Sequence, residues 1–126
     1  MTLFDAIDNF DKERANSVSL ETKIRWLSQL DMKISSEILA PRGEKSFSGY
    51  ALGGGDIQKQ LKAPEEYADI YSVYLNMKLD LMNGEIARYN NSAILFNKLF
   101  YEMADFINRN RSVLKKTEIK AGGYYA

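Results

Sequence analysis

Three carboxylate pairs lie close enough in sequence to share a proton or a cation: Asp8 with Asp11, Glu65 with Glu66, and Glu102 with Asp105. Glu102 and Asp105 fall on one helical face at a spacing that suits a hard cation. Di-iron helical bundles, however, are built on Glu-x-x-His pairs, and the chain has no histidine. It has no cysteine either, which removes thiol nucleophiles, Cys-based zinc sites and disulfide scaffolds. The carboxylate pairs read better as solvent-facing charges, and no carboxylate sits in a run apolar enough to imply a raised pKa. Gly53-Gly54-Gly55 is neither a Walker-type loop nor a dinucleotide turn, and reads as a solvated hinge. The residues therefore point to a non-enzyme with no cofactor.

Two other features stand out. Asn90-Asn91-Ser92 places three poor helix formers inside a helical pattern. They are either exposed positions or a polar contact between helices or subunits, and a compensating hydrogen bond from Asn90 or Asn91 to another helix or chain is the expectation. The second feature is tyrosine, eight in all, with Tyr67, Tyr71 and Tyr74 stacked on one side of a helix. Tyrosine suits surfaces that are apolar at one end and hydrogen-bonded at the other, so these are candidate interface residues, although core packing explains part of the pattern. Trp26 reads as core edge or as an interface anchor.

The elements that must carry these residues are helical. The chain is 126 residues long with 45% hydrophobic and 27% charged residues, enough for one globular core. Leu3, Phe4, Ile7 and Phe10 mark a first helix over about 2–14, capped by Thr2 with Asp5 in support. Leu20, Ile24, Leu27, Leu30, Ile34 and Ile38 mark a second over about 20–39, with Ser19 as its cap and Pro41 beyond its end. Residues 42–63 lose the period and form a long irregular loop, and a short strand over 46–51 is compatible with the pattern. A third helix starts after Pro64 at its N1 position and ends at Asn83-Gly84, with Gly84 as a left-handed cap. A fourth runs over about 85–111, where Ile86, Tyr89, Ala93, Phe96, Phe100, Met103 and Ile107 alternate without a slip, Phe96 at the centre of the stripe.

The predicted fold is all-α: four helices with a C-terminal antiparallel αα-hairpin, one long irregular loop and an extended C-terminal tail. Residues 1–111 form a single domain and 112–126 a flexible tail. Thr117-Glu118-Ile119 there could add a strand to a partner, and Tyr124-Tyr125 reads as a docking element. Lys plus Arg and Asp plus Glu are both 17, and this balance argues against sequence-specific nucleic-acid binding. No apolar run approaches a membrane span and no secretory leader is apparent, so a cytoplasmic, non-membrane protein is expected.

Certain runs resemble a known family. They are Glu21-Thr22-Lys23-Ile24-Arg25-Trp26-Leu27, then Leu61-Lys62-Ala63-Pro64-Glu65-Glu66-Tyr67, and above all Asn83-Gly84-Glu85-Ile86-Ala87-Arg88-Tyr89-Asn90-Asn91-Ser92-Ala93 with Leu95-Phe96-Asn97. Together, over roughly residues 17–110, they resemble small head–tail connector (adaptor, head-completion) proteins of tailed phages and prophages of Gram-positive bacteria. The resemblance implies a structural subunit without an active site. It would assemble as a ring on the portal, of a kind that is often a dodecamer. Its partners would be its own copies, the portal protein and the next neck or tail protein. It would act in the virion neck, and in the host cytoplasm during assembly. The competing expectation is a small helical adaptor or regulatory protein that binds a phage or host protein as a monomer or dimer. The interface candidates are Trp26, Tyr67, Tyr71, Tyr74, Arg88, Asn90, Asn91, Tyr124 and Tyr125.

Overall fold

A computed structural model describes the backbone of residues 1–121 and the side chains of residues 1–110. Four α-helices form the body: α1 Leu3–Glu13, α2 Leu20–Ile34, α3 Asp69–Met82 and α4 Ile86–Ala121. No strand is present among the described residues, and the all-α expectation holds.

The direction of each helix follows from its contacts. The N-terminal ammonium of Met1 meets Glu65 and Gln60 at one end of the molecule. At the other end Arg14 meets Asp80, so α1 runs parallel to α3. Lys23 pairs with Asp11 near the start of α2, and Arg42, just past its end, reaches Asn108 of α4. Tyr74 packs on Phe96 and Tyr67 on Phe106, which sets α4 antiparallel to α3. The result is an up-down-up-down bundle with the expected αα-hairpin at its C-terminal half.

Local chemistry explains the boundaries. Thr2 and Asp5 form a reciprocal capping box at α1, and the Ser19 hydroxyl accepts from the Thr22 N–H at α2. Gly84, at φ 73°, turns the chain between α3 and α4 in a region that side chains with a Cβ avoid. Three boundaries differ from the sequence reading: the end of the second helix, the start of the third and the end of the fourth. The second helix does not run unbroken to Leu39: after Ile34 it widens into a π-helical turn, Ser35–Leu39, and tightens into a 3-10 turn, Ala40–Arg42, ending at left-handed Gly43. Ser35 and Ser36 are weak helix formers, and the Ser35 hydroxyl is engaged by the Phe47 N–H, so the turn carries a foreign contact. Pro64 also does not open α3; it precedes a separate 3-10 turn, Glu65–Tyr67.

The core is a single cluster between the four helices, with Leu3, Phe10, Ile24, Leu27, Leu30, Ile34, Ile70, Leu75 and Met103 essentially inaccessible. The α4 stripe contributes only its second half. Phe96, Phe100, Met103 and Ile107 are buried, whereas Ile86 is exposed and Tyr89 and Ala93 are half-buried. The first two turns of α4 thus bury little of their apolar period. Leu20, expected in the α2 stripe, is likewise exposed. The helical backbone of α4 continues to Ala121, past the expected end near Arg111 and through 117–119, the residues read as able to add a strand to a partner.

Candidate functional site

The irregular 43–64 segment spends some backbone donors on its own turns, as at Gly54, Ile57 and Lys59, and others on side chains of the helices beneath it. The Phe47 N–H bonds the Ser35 hydroxyl at 3.1 Å and the Tyr50 N–H bonds the Ser28 hydroxyl at 3.0 Å. The Ala63 N–H bonds the Tyr71 phenol at 2.8 Å. Its carbonyls serve α1 in return: Lys59 accepts from the Leu3 N–H at 2.9 Å and Ile57 from the Phe4 N–H at 2.7 Å. Those are two of the amides a helix start leaves without an internal partner. A loop of this length is thereby fixed to the bundle along most of its course.

Asp31 is the centre of this attachment. Its carboxylate is fully inaccessible and accepts from the Tyr71 phenol at 2.6 Å, from the Lys62 N–H at 3.1 Å and from the Tyr50 phenol. One side chain of α2 thus joins α3 to both halves of the loop. Burial pushes the Asp31 carboxyl above its ordinary range, against the opposing effect of its hydrogen bonds to Tyr50 and Tyr71. Burial and the neighbouring Asp31 push both phenols up as well. The reading that no carboxylate sits in a run apolar enough to imply a raised pKa therefore fails at Asp31. It sits on the same apolar stripe as Ile24, Leu27 and Ile34, and an acid on the inner face of an amphipathic helix was the available signal. Every polar atom of this network has a partner, and nothing in it faces solvent as a reacting group would. Its geometry suits a structural clasp.

The interface candidates divide. Tyr71 and Tyr74 are buried, so they are core residues of this chain, a correction to their reading as partner-facing. Tyr67 is half-buried against Phe106, with ring centroids 5.4 Å apart. Trp26 is half-buried and packs on the core, the blander of its two readings. Arg88, Asn90 and Asn91 are exposed on α4. Among the described residues neither asparagine side chain hydrogen-bonds another helix, so the expected interhelical hydrogen bond is not made there. Tyr124 and Tyr125 lie outside the described residues.

The chain matches no protein-family model, no curated protein and no solved structure. The surface must therefore be read from its own chemistry. The outer face of α4 carries Ile94 at 70% and Tyr101 at 72% relative exposure, with Leu95 and Ile86 beside them and Leu81 and Met82 at the adjoining end of α3. Sequence reasoning missed these residues because it assigned Ile86 to the core and weighed only the polar members of the face. A separate open cleft of about 420 Å³ lies between the 60–64 segment and the lower part of α4, with Leu61, Pro64, Phe106 and Ile107 among its walls. No helix among the described residues is long and apolar enough to cross a membrane.

Proposed function

We propose that this protein is a non-enzymatic connector subunit of a phage neck, joining the portal to the tail through oligomeric packing. The observation that carries the reading is the position of the run that resembles connector proteins. Residues 83–97 turn the α3–α4 hairpin and then present Arg88, Asn90, Asn91, Leu95 and Asn97 outward, on a face the fold leaves uncovered. Exposed large apolar side chains next to unpaired polar ones suit a surface completed by another chain. The clasped loop and the small, fully satisfied core suit a rigid adaptor more than a catalyst, since the polar groups that are buried are spent on holding the chain together.

The test is reconstitution. The purified chain is mixed with a portal protein encoded beside it and the product imaged by electron microscopy. A ring of connector density seated on the portal is the expected result. Failure to associate with portal under conditions where the chain is folded would overturn the proposal.

A further inference from the structure

We infer that Asn83 is a self-modification site, where the backbone nitrogen of Gly84 displaces the side-chain amide and leaves an aspartyl or isoaspartyl residue in the α3–α4 turn. This inference does not depend on the neck reading, because it needs only the chain's own atoms and water.

The chain has nine asparagines, and Asn83 alone precedes a glycine. A following glycine has no Cβ to shield the attacking nitrogen. The fold sets the other eight apart. Seven of them lie inside α1, α3 and α4. There the next residue's N–H is tied to a carbonyl of the preceding turn, and the nitrogen cannot swing toward the side chain. Asn16 lies between helices, but its side chain is held. Its Nδ2 donates to Asp11 at 3.1 Å and to the Arg14 carbonyl at 2.9 Å, and its Oδ1 accepts from the Val18 N–H at 3.1 Å. Asn83 is exposed within an unbroken exposed run, 81–88, and among the described residues no hydrogen bond holds its amide. Nothing lies within 4 Å of where a Gly84 Cβ would stand, so the turn has room for a ring.

Asn83 sits at ψ −1°, and the Gly84 N–H donates to the Leu81 carbonyl at 3.2 Å. The reaction therefore begins with opening of this turn, which contains no buried side chain. Hydroxide takes the Gly84 amide proton, and the nitrogen bonds to Asn83 Cγ. The Cγ–Nδ2 bond then breaks, and the nitrogen takes a proton from water and leaves as ammonia. The product is a cyclic imide. Water adds to either ring carbonyl: breaking the Cγ–N bond gives aspartate, and breaking the bond to the main-chain carbonyl gives isoaspartate, whose backbone runs through Cβ. Either product puts a carboxylate at the C-terminal end of α3, the negative pole of its dipole, between Asp80 and Glu85 in sequence. Isoaspartate also lengthens the turn that the Glu85 N–H closes on the Asp80 carbonyl at 2.8 Å. Conversion should therefore loosen the hairpin.

The purified full chain is incubated folded, and in parallel in denaturant, at physiological temperature and mildly alkaline pH. Intact mass, peptide mapping and isoaspartyl methyltransferase labelling follow the products. In the folded chain Asn83 should convert at least about tenfold faster than any other asparagine, and faster still as hydroxide rises. Asn83→Gln, which needs a larger ring, should abolish the conversion. The converted fraction, isolated by ion exchange, should melt below the parent. A folded chain that keeps Asn83 intact over the time the denatured chain takes to convert overturns the inference. So does first conversion at another asparagine, or conversion that Asn83→Gln leaves unchanged. A converted fraction that melts with the parent overturns the loosening of the hairpin.

Discussion

Asp31 in α2 and the Asn90–Asn91 pair in α4 both put polar side chains where a helix gains more from apolar or stronger helix-forming residues. The fold resolves them in opposite ways. Asp31 is inaccessible and takes three donors, two phenols and a backbone N–H, so its desolvation is offset by contacts that also fasten the loop. Asn90 and Asn91 are exposed and, among the described residues, hydrogen-bond no other helix. The buried polar group is a fastening within the chain, while the exposed pair fastens nothing among the described residues. The two regions should then respond to mutation in different observables: folding for the first, association for the second.

The largest expected effect is at the clasp. Asp31→Ala leaves two phenols and one N–H buried without an acceptor, and should lower unfolding free energy by about 3–5 kcal/mol in denaturant titration. A loss under about 1 kcal/mol would mean that water replaces the carboxylate and that the clasp is not a fastening. Next is Phe96→Ala on the inner face of α4. Phe96 lies 5.4 Å from Tyr74 and 5.9 Å from Phe100 between ring centroids, and its truncation should cost about 3 kcal/mol.

A pH series sharpens the comparison. The folded-state pKa of Asp31 is raised, so its protonated form favours the fold, and that contribution is full below the unfolded carboxylate value and lost as pH rises through the folded one. Asp31→Asn cannot titrate. Its stability deficit relative to the parent should therefore be largest in acid and shrink toward neutral pH, followed by melting temperature in each buffer. Asp5, Asp11 and Asp56 have lowered values and drive the opposite trend in both proteins, so only the difference between parent and variant isolates Asp31. A deficit that grows with pH would reverse the assigned direction.

The smallest effect on folding is expected at the outer face. Asn90→Ala and Asn91→Ala remove poor helix formers from exposed positions and should stabilise the subunit by about 0.5 kcal/mol each. Association with the portal, read by the reconstitution above, should weaken in the same variants. If both variants instead melt earlier, the two amides hold the subunit's own fold and the contrast with Asp31 disappears.

Several elements could be read from the chain itself. The caps at Thr2 and Ser19 follow from a side-chain oxygen placed before an apolar period, and both form as expected. The hairpin turn at Gly84 follows from a glycine at the point where two helical periods meet. The absence of strands among the described residues follows from the dominance of three- and four-residue spacings. These are local rules, and they hold because the atoms involved lie within one or two turns of each other in sequence.

What a stripe touches is not local. The periods of Tyr67, Tyr71 and Tyr74, and of Ile86 through Ile107, show that a face exists without showing whether a neighbour covers it. Only the packing of four helices put Tyr71 inside and left Ile94 outside. Asp31 is the same case in reverse: its partners Tyr50, Lys62 and Tyr71 lie 19, 31 and 40 residues away, and the sequence holds no sign that they converge. The chain by itself thus determined where helices start, turn and present an apolar face, because those choices are made by neighbouring residues. Which faces are closed, and which polar group becomes a fastening, was decided by the tertiary structure, because burial is a property of residues brought together from distant parts of the chain.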